Sequence, residues 1–216
     1  MEAVIFDMDG VIVDSEQYWH RLERQVFEEA LKDADFEEVL EKATGRNYLE
    51  TYELLREEYG IDMEREEFME RYDEAAEVIY GERVELMDGF RSLVEELKAE
   101  EIKIGLVSSS PRRWIGMVFD RFDLEGLLDV VASTEDIEEE EGKPEPDIYL
   151  HAAEKLEVEP EQCVAVEDSE NGVKAAENAG MYCIGYRNET GQADVTVGSP
   201  RELRETLLDL EEGKGF

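Results

Sequence analysis

Residues 4–15, Val4-Ile5-Phe6-Asp7-Met8-Asp9-Gly10-Val11-Ile12-Val13-Asp14-Ser15, constrain this chain more than any other stretch. Val4 to Phe6 is too short for a helix and β-branched at its front, so it predicts a strand buried on both faces. Such strands belong to parallel sheets covered by helices, where ligands gather at the carboxyl ends of the strands. Asp7 and Asp9 are thus expected at the sheet edge where a site forms. Two neighbouring anions there call for a positive partner, either a divalent cation, a lysine or both. Gly10 lets the backbone turn away at once. An ordinary strand exit also favours Asp, so this stretch alone does not decide between a site and a turn.

The rest of the chain alternates in a way that supports the first reading. After Asp14, Trp19, Leu22, Val26 and Ala30 recur at helical spacing, as do Leu49, Tyr52, Leu55 and Tyr59, and Phe68, Tyr72, Ala75 and Ile79. Gly45, Gly60 and Gly81 punctuate these runs. Residues 16–85 are therefore expected to be an all-helical insert whose aromatic and Met residues form its own core, with a few turned to a ligand. From Asp88 onward, strands are expected at Ile102–Val107, Asp129–Ala132, Cys163–Val166, Tyr182–Tyr186 and Val195–Val197, separated by helices. Ser169 is expected to cap the helix carrying Val173, Ala176 and Ala179. The fold class is α/β, a doubly wound parallel sheet of Rossmann-like kind. It is built from residues 1–15 and 86–216, with the helical domain 16–85 inserted.

Charge narrows the partners. The chain carries 59 acidic against 22 basic residues, a net charge of −37, with 14 Arg to 8 Lys. Neutralising phosphates takes surplus Lys and Arg, so nucleic acid and anionic membrane are excluded as partners. An acid excess of this size suits salt-rich cytoplasm, where screening relieves self-repulsion; an acidic protein of ordinary surroundings is the alternative. No apolar run reaches membrane-spanning length and the N-terminus lacks a signal-peptide layout, so a cytoplasmic location is expected. Cys163 and Cys183 sit in apolar runs and are expected to be buried and reduced. The run Glu138–Glu141 reads as a solvated loop. Nothing in the chain speaks to oligomeric state, and a monomer is the simplest expectation.

Strand ends then assemble a constellation: Asp7 and Asp9 from the first, Ser108 from the second, Glu167 and Asp168 from a later one, with Lys143 entering on a loop stiffened by Pro144 and Pro146. Carboxylate and carbonyl oxygens can hold Mg²⁺. A hydroxyl and an ammonium can grip phosphoryl oxygens, and two Asp residues can divide the roles of nucleophile and acid/base. In this order and spacing, Asp7-Met8-Asp9-Gly10, Ser108, Lys143 and Glu167-Asp168 resemble the four motifs of the haloacid dehalogenase-like (HAD) superfamily, and the helical insert sits where that family carries a helical cap domain.

The resemblance implies roles. Asp7 would be the nucleophile that forms an aspartyl-phosphate. Asp9 would protonate the leaving oxygen and then deprotonate the hydrolytic water. Mg²⁺ would be held by the Asp7 carboxylate, the Asp9 carbonyl and Asp168, with Glu167 behind them or reaching the metal through water. Ser108 and Lys143 would hold the transferring phosphoryl group, helped by backbone N–H groups after Asp7 and at Ser109. The expected substrate is a small phosphorylated metabolite, of sugar-phosphate or phosphoglycolate type, and the expected enzyme a phosphatase. Asp9 argues against dehalogenation, which has no leaving oxygen to protonate. Lys32 and Lys42, the only lysines of the insert, do not match the Schiff-base lysine of the phosphonate hydrolases. A β-phosphoglucomutase-like reaction remains as an alternative. However, Trp19 stands where that branch has a histidine, with His20 one place later, and Tyr48 stands near its cap arginine, with Arg46 close by. Trp19, His20, Arg46 and Arg112 are the further substrate-binding candidates; each is otherwise an ordinary core or surface residue. A catalytically silent phosphometabolite-binding protein and an interaction module are the readings outside enzymology.

Overall fold

The computed structural model describes residues 1–31, 38, 39, 42, 48–137, 142–188, 192–211 and 213. Arg46, Gly45, Lys32 and the run Glu138–Glu141 lie outside them. Six strands, β1 (Ala3–Asp7), β2 (Lys103–Ser108), β3 (Val130–Ser133), β4 (Cys163–Glu167), β5 (Tyr182–Tyr186) and β6 (Val195–Val197), form one sheet in the order β3-β2-β1-β4-β5-β6. Every neighbouring pair is parallel. Each expected strand is present to within a residue or two.

The strands alternate in side-chain direction, and the two faces differ in bulk. Val4, Phe6, Ile104, Leu106, Val164 and Val166 bury against α4 (Phe90–Ala99), whose inward face is Phe90, Leu93, Val94 and Leu97. Phe6 meets Phe90 edge to face at 5.5 Å, a pair of the kind that adds about 0.5–1.5 kcal/mol beyond area burial. Ala3, Ile5, Ala165 and Cys163 point the other way, onto α6 (Asp147–Leu156) and α7 (Glu170–Asn178). There Ala152, Ala153, Ala175 and Ala176 keep the contact thin. Cys163 and Cys183 are buried and free. Helices on both faces cover the sheet, α5 (Arg112–Phe122) and α8 (Pro200–Glu211) completing the set.

The strand order has a consequence for function. From β1 the chain runs outward through β2 to β3, then returns to β4 on β1's other side. The carboxyl end of β1, between those of β2 and β4, is thus the topological switch point where a doubly wound sheet opens a crevice.

Between β1 and β2 lie α1 (Glu16–Ala30), α2 (Tyr48–Tyr59) and α3 (Arg65–Val78). The periodicity extends the third of these to Ile79, but the chain changes there into a π turn, Ile79–Arg83, with Gly81 at its middle. π turns of this sort widen the helix by one residue per turn and re-aim side chains; here Tyr80 is fully buried toward β1's end. The insert's aromatics are shared more widely than expected. Tyr52 and Phe68 pack within it, but Trp19 and Tyr48 lie against Trp114 of α5 at 5.0 and 5.1 Å. No helix among the described residues is long and apolar enough to cross a membrane.

Candidate active site

β1 ends in Asp7, whose carboxylate is almost entirely buried. Lys143 Nζ lies 2.5 Å from Asp7 Oδ1 and 2.5 Å from Glu167 Oε1. Glu167, at the end of β4 and fully buried, also accepts a bond from the Tyr149 hydroxyl of α6 at 2.6 Å. Burial lowers the Lys143 ammonium's affinity for its proton, but the Asp7 and Glu167 charges more than offset this, and its pKa is held above the ordinary range. Lys143 therefore stays charged. Burial pushes the Asp7 carboxyl well up; Lys143 opposes this, and Glu167 and Asp9 add to it.

Asp7, Glu167 and Asp168 each offer a carboxylate oxygen, and these oxygens lie within 4.8 Å of one another. The Asp168 carboxyl is also pushed well up, first by burial and then by the charges of Asp7, Glu16 and Glu167. One ammonium is too little counter-charge for three carboxylates, and an all-oxygen donor set suits a hard divalent cation. The residues present thus fit the metal that the family resemblance implies. Two glycines make the arrangement possible. A Cβ on Gly10, whose φ is +79°, would collide with the Asp168 carboxylate, and one on Gly172 would collide with that of Glu167. Both contacts come to about 2 Å or less, so no other residue fits at either position without moving a site carboxylate. Ser169 caps α7, its Oγ accepting from Gly172 N–H at 3.0 Å. The Asp168 carbonyl accepts from Asn188 Nδ2 at 2.9 Å.

Asp9 is held by hydroxyls. Ser15 Oγ donates to Oδ1 at 2.5 Å and Tyr80 to the same oxygen at 2.7 Å, while Ser110 Oγ donates to Oδ2 at 3.0 Å. Trp19 Nε1–H in turn donates to the Tyr80 hydroxyl at 3.1 Å. Ser108, buried at the end of β2, receives the Ser110 N–H at 3.0 Å and approaches Asp9 Oδ2 at 3.5 Å.

These groups open onto a cavity of about 160 Å³. Asp7, Asp9, Lys143, Asp168, Ser109 and Ser110 line its floor, and Trp19, His20, Glu23, Tyr48, Tyr72 and Trp114 its outer wall. Of the residues singled out from the sequence, Asp7, Asp9, Lys143 and Asp168 thus come together with Ser109, Trp19 and His20. Ser108 and Glu167 stand immediately behind, bonded to that set. Arg112 is placed elsewhere: its guanidinium makes a two-pronged contact with Asp136, and it does not line the cavity. Asp136, just after β3, holds the guanidinium, and Glu135 accepts from the Arg112 backbone N–H. Arg46 falls outside the described residues. Sequence reasoning missed Ser15, Tyr80, Ser110, Tyr149, Glu23 and Tyr72. Ser15 and Ser110 adjoin motifs and were within reach. Tyr80 depends on the π turn, for which the apolar spacing carries no signal.

Comparison with known proteins follows the same lines. The family model for haloacid dehalogenase-like hydrolases matches residues 1–180. The chain is 34% identical over 97% of its length to a phosphorylated carbohydrates phosphatase of Thermotoga maritima, covering 100% of that protein. It is 35% identical over 96% of its length to hexitol phosphatase B of Escherichia coli, covering 96% of it. Among solved structures it resembles a β-phosphoglucomutase from Clostridium difficile, with a TM-score of 0.77, 26% identity, and 99% and 98% of the two chains covered. With four motifs meeting at one switch point and a matching model across residues 1–180, the chain belongs to the haloacid dehalogenase-like hydrolase family.

Proposed function

We propose that this hydrolase is a Mg²⁺-dependent phosphatase for a small phosphorylated metabolite of the sugar-phosphate type, working through an aspartyl-phosphate on Asp7. The observation that carries the reading is the Lys143 bridge between Asp7 and Glu167, which leaves one Asp7 oxygen, Oδ2, outside that bridge. Asp7 Oδ2 attacks phosphorus and the bond to the leaving oxygen breaks. Asp9 gives that oxygen a proton. Asp9 then takes a proton from water as the water attacks phosphorus, and Asp7 is released. Lys143 stays charged throughout and neutralises the incoming phosphoryl group, helped by the hydroxyl and N–H groups at Ser108 and Ser109. Asp7, Asp168 and the Asp9 carbonyl would hold Mg²⁺, with Glu167 behind; when bound, the ion offsets the charge of carboxylates and phosphate.

The insert, residues 16–85, serves in this reading as a cap that excludes water and reads the leaving group. Tyr80 and Trp19 tie it to Asp9, so the acid/base group is set by both halves. The acid excess adapts the chain to a salt-rich cytoplasm; stability is expected to rise from low to molar KCl, and a flat melting profile would contradict this. A phosphosugar-mutase reaction is the second reading, favoured by the likeness to β-phosphoglucomutase. β-Glucose 1-phosphate given with its bisphosphate activator separates the two: isomerisation without net phosphate release means mutase. The test of the main reading is phosphate release from phosphorylated metabolites in molar KCl with Mg²⁺, wild type against Asp7→Asn. Loss of release in the variant is expected, and equal release would remove the assigned nucleophile.

A further inference from the structure

The outer wall of the cavity holds two polar groups that the proposed chemistry does not use. The Tyr72 hydroxyl is buried and has no hydrogen-bond partner among the described residues, although Tyr72 is only 3% exposed and lines the cavity. An orphaned buried hydroxyl costs on the order of 1–3 kcal/mol, so a ligand that pairs with it recovers that cost. Its ring is fixed between Trp19, stacked at 5.6 Å, and Phe68 at 4.6 Å. Glu23, one helical turn beyond Trp19 on α1, lines the same cavity and makes no hydrogen bond or ion pair among the described residues. Its charge reaches Tyr72, where it adds to burial in raising the hydroxyl's pKa. Burial, and then Glu16, push the Glu23 carboxyl up to about 7.

We infer that Glu23 and Tyr72 form the leaving-group subsite and select a neutral, polyhydroxylated group, a sugar or polyol, over one bearing a carboxylate or a second phosphate. The inference rests on the phosphatase reading for the position of the scissile phosphate, at Lys143 and Asp7. Three observations converge on it. The side chains of Trp19, Tyr48 and Trp114 line the cavity and offer apolar surface to the C–H groups of a sugar. Tyr72 and Glu23 supply an unpartnered donor and acceptor for its hydroxyls. Among the described residues the cavity lining contains no Lys or Arg besides Lys143, while Glu16 and Glu23 place negative charge where an acidic leaving group would sit. Repulsion in such a part-buried site is screened only weakly.

The test compares wild type, Glu23→Gln and Tyr72→Phe on three esters with Mg²⁺: a hexitol phosphate, 2-phosphoglycolate and p-nitrophenyl phosphate. Binding of each is read independently of turnover from the fluorescence of Trp19 and Trp114. Wild type is expected to prefer the hexitol phosphate to phosphoglycolate by at least tenfold in kcat/KM. Tyr72→Phe, which deletes only a hydroxyl without a partner among the described residues and should keep the fold, is expected to raise the hexitol KM about five- to tenfold, at least three times more than it raises that of p-nitrophenyl phosphate. Glu23→Gln is expected to narrow the hexitol-to-phosphoglycolate ratio about tenfold. A wild type that favours phosphoglycolate, or variants that shift all three esters equally in rate and in binding, would overturn the subsite. If no ester is hydrolysed yet the binding preference still depends on Glu23 and Tyr72, the phosphatase reading fails and the subsite stands.

Discussion

The floor and the outer wall of the cavity are built on opposite principles. On the floor the charged groups are bonded, save the Asp168 carboxylate, which a metal ion would answer: Lys143 lies between Asp7 and Glu167, Tyr149 satisfies Glu167, and three hydroxyls hold Asp9. Buried charge tolerates no slack, because an unpaired ion in low dielectric costs several kcal/mol. The wall is aromatic and under-bonded, with the Tyr72 hydroxyl unpaired and Glu23 unbridged among the described residues. Fixed, bonded groups suit a reaction whose charge distribution is the same for every phosphate ester. Unsatisfied ones suit a surface completed by a particular leaving group. The contrast teaches that chemistry and choice of substrate are separable here, and mutations should separate them.

The largest effect expected is at the floor. Asp7→Asn should lower kcat by about 10⁴-fold or more, since a nucleophile cannot be replaced by its neighbours. Lys143→Met should both abolish turnover and, without Mg²⁺, destabilise the fold by about 3–5 kcal/mol, because Asp7 and Glu167 lose their buried partner; denaturant melts measure this. If Lys143→Met melts like wild type, the floor is less tightly coupled than described.

Metal addition sharpens the same side of the contrast. Saturating Mg²⁺ at about 100 times its Kd should stabilise wild type by about 2.7 kcal/mol, roughly 5–10 °C in Tm for a chain of this size. The gain should vanish in Asp168→Asn, and calorimetry reads both.

Tyr80→Phe probes the seam between the two regions. It removes one bond to Asp9 and leaves Trp19 Nε1 without its acceptor. We expect kcat to fall about tenfold with KM nearly unchanged, together with a loss of about 1–3 kcal/mol in stability. An effect on KM alone would place Tyr80 with the wall.

The smallest effect belongs to the wall. Glu23 titrates at about 7 in the folded chain against an ordinary value of 4.5. An acid whose folded pKa is raised costs stability as pH rises through that interval. Wild type should therefore lose stability relative to Glu23→Gln between about pH 4.5 and 7, by on the order of 1 kcal/mol after allowing for its partial exposure. Identical pH–Tm curves would show that Glu23 is solvated rather than facing the cavity.

The same contrast explains what the sequence made legible. β1, β2 and β4 announce themselves because buried parallel strands must be short apolar runs, and Asp7, Ser108 and Glu167 follow at their ends by the geometry of the sheet. Asp168 and Lys143 are readable from their order relative to those runs. The wall is not readable in this way. Tyr72 sits at a spacing that serves equally for a helix core, and its place on the cavity wall, stacked on Trp19 of another helix, is a tertiary contact that this spacing does not encode. Tyr80 reaches Asp9 because the helix changes pitch at Ile79. Arg112 carries the charge that suits a substrate, yet Asp136, set by a capped 3-10 turn just after β3, pairs with it across elements that lie far apart in the sequence.

The central claim is that Asp7 carries the phosphoryl group between the two half-reactions. Acid quenching of wild type during turnover, followed by mass spectrometry of the peptide containing Asp7, tests it most directly. A phosphoryl group on that aspartate, absent from Asp7→Asn, is the predicted result. Phosphate release at full rate, with rapid quenching at every time point finding the peptide unmodified, would contradict it.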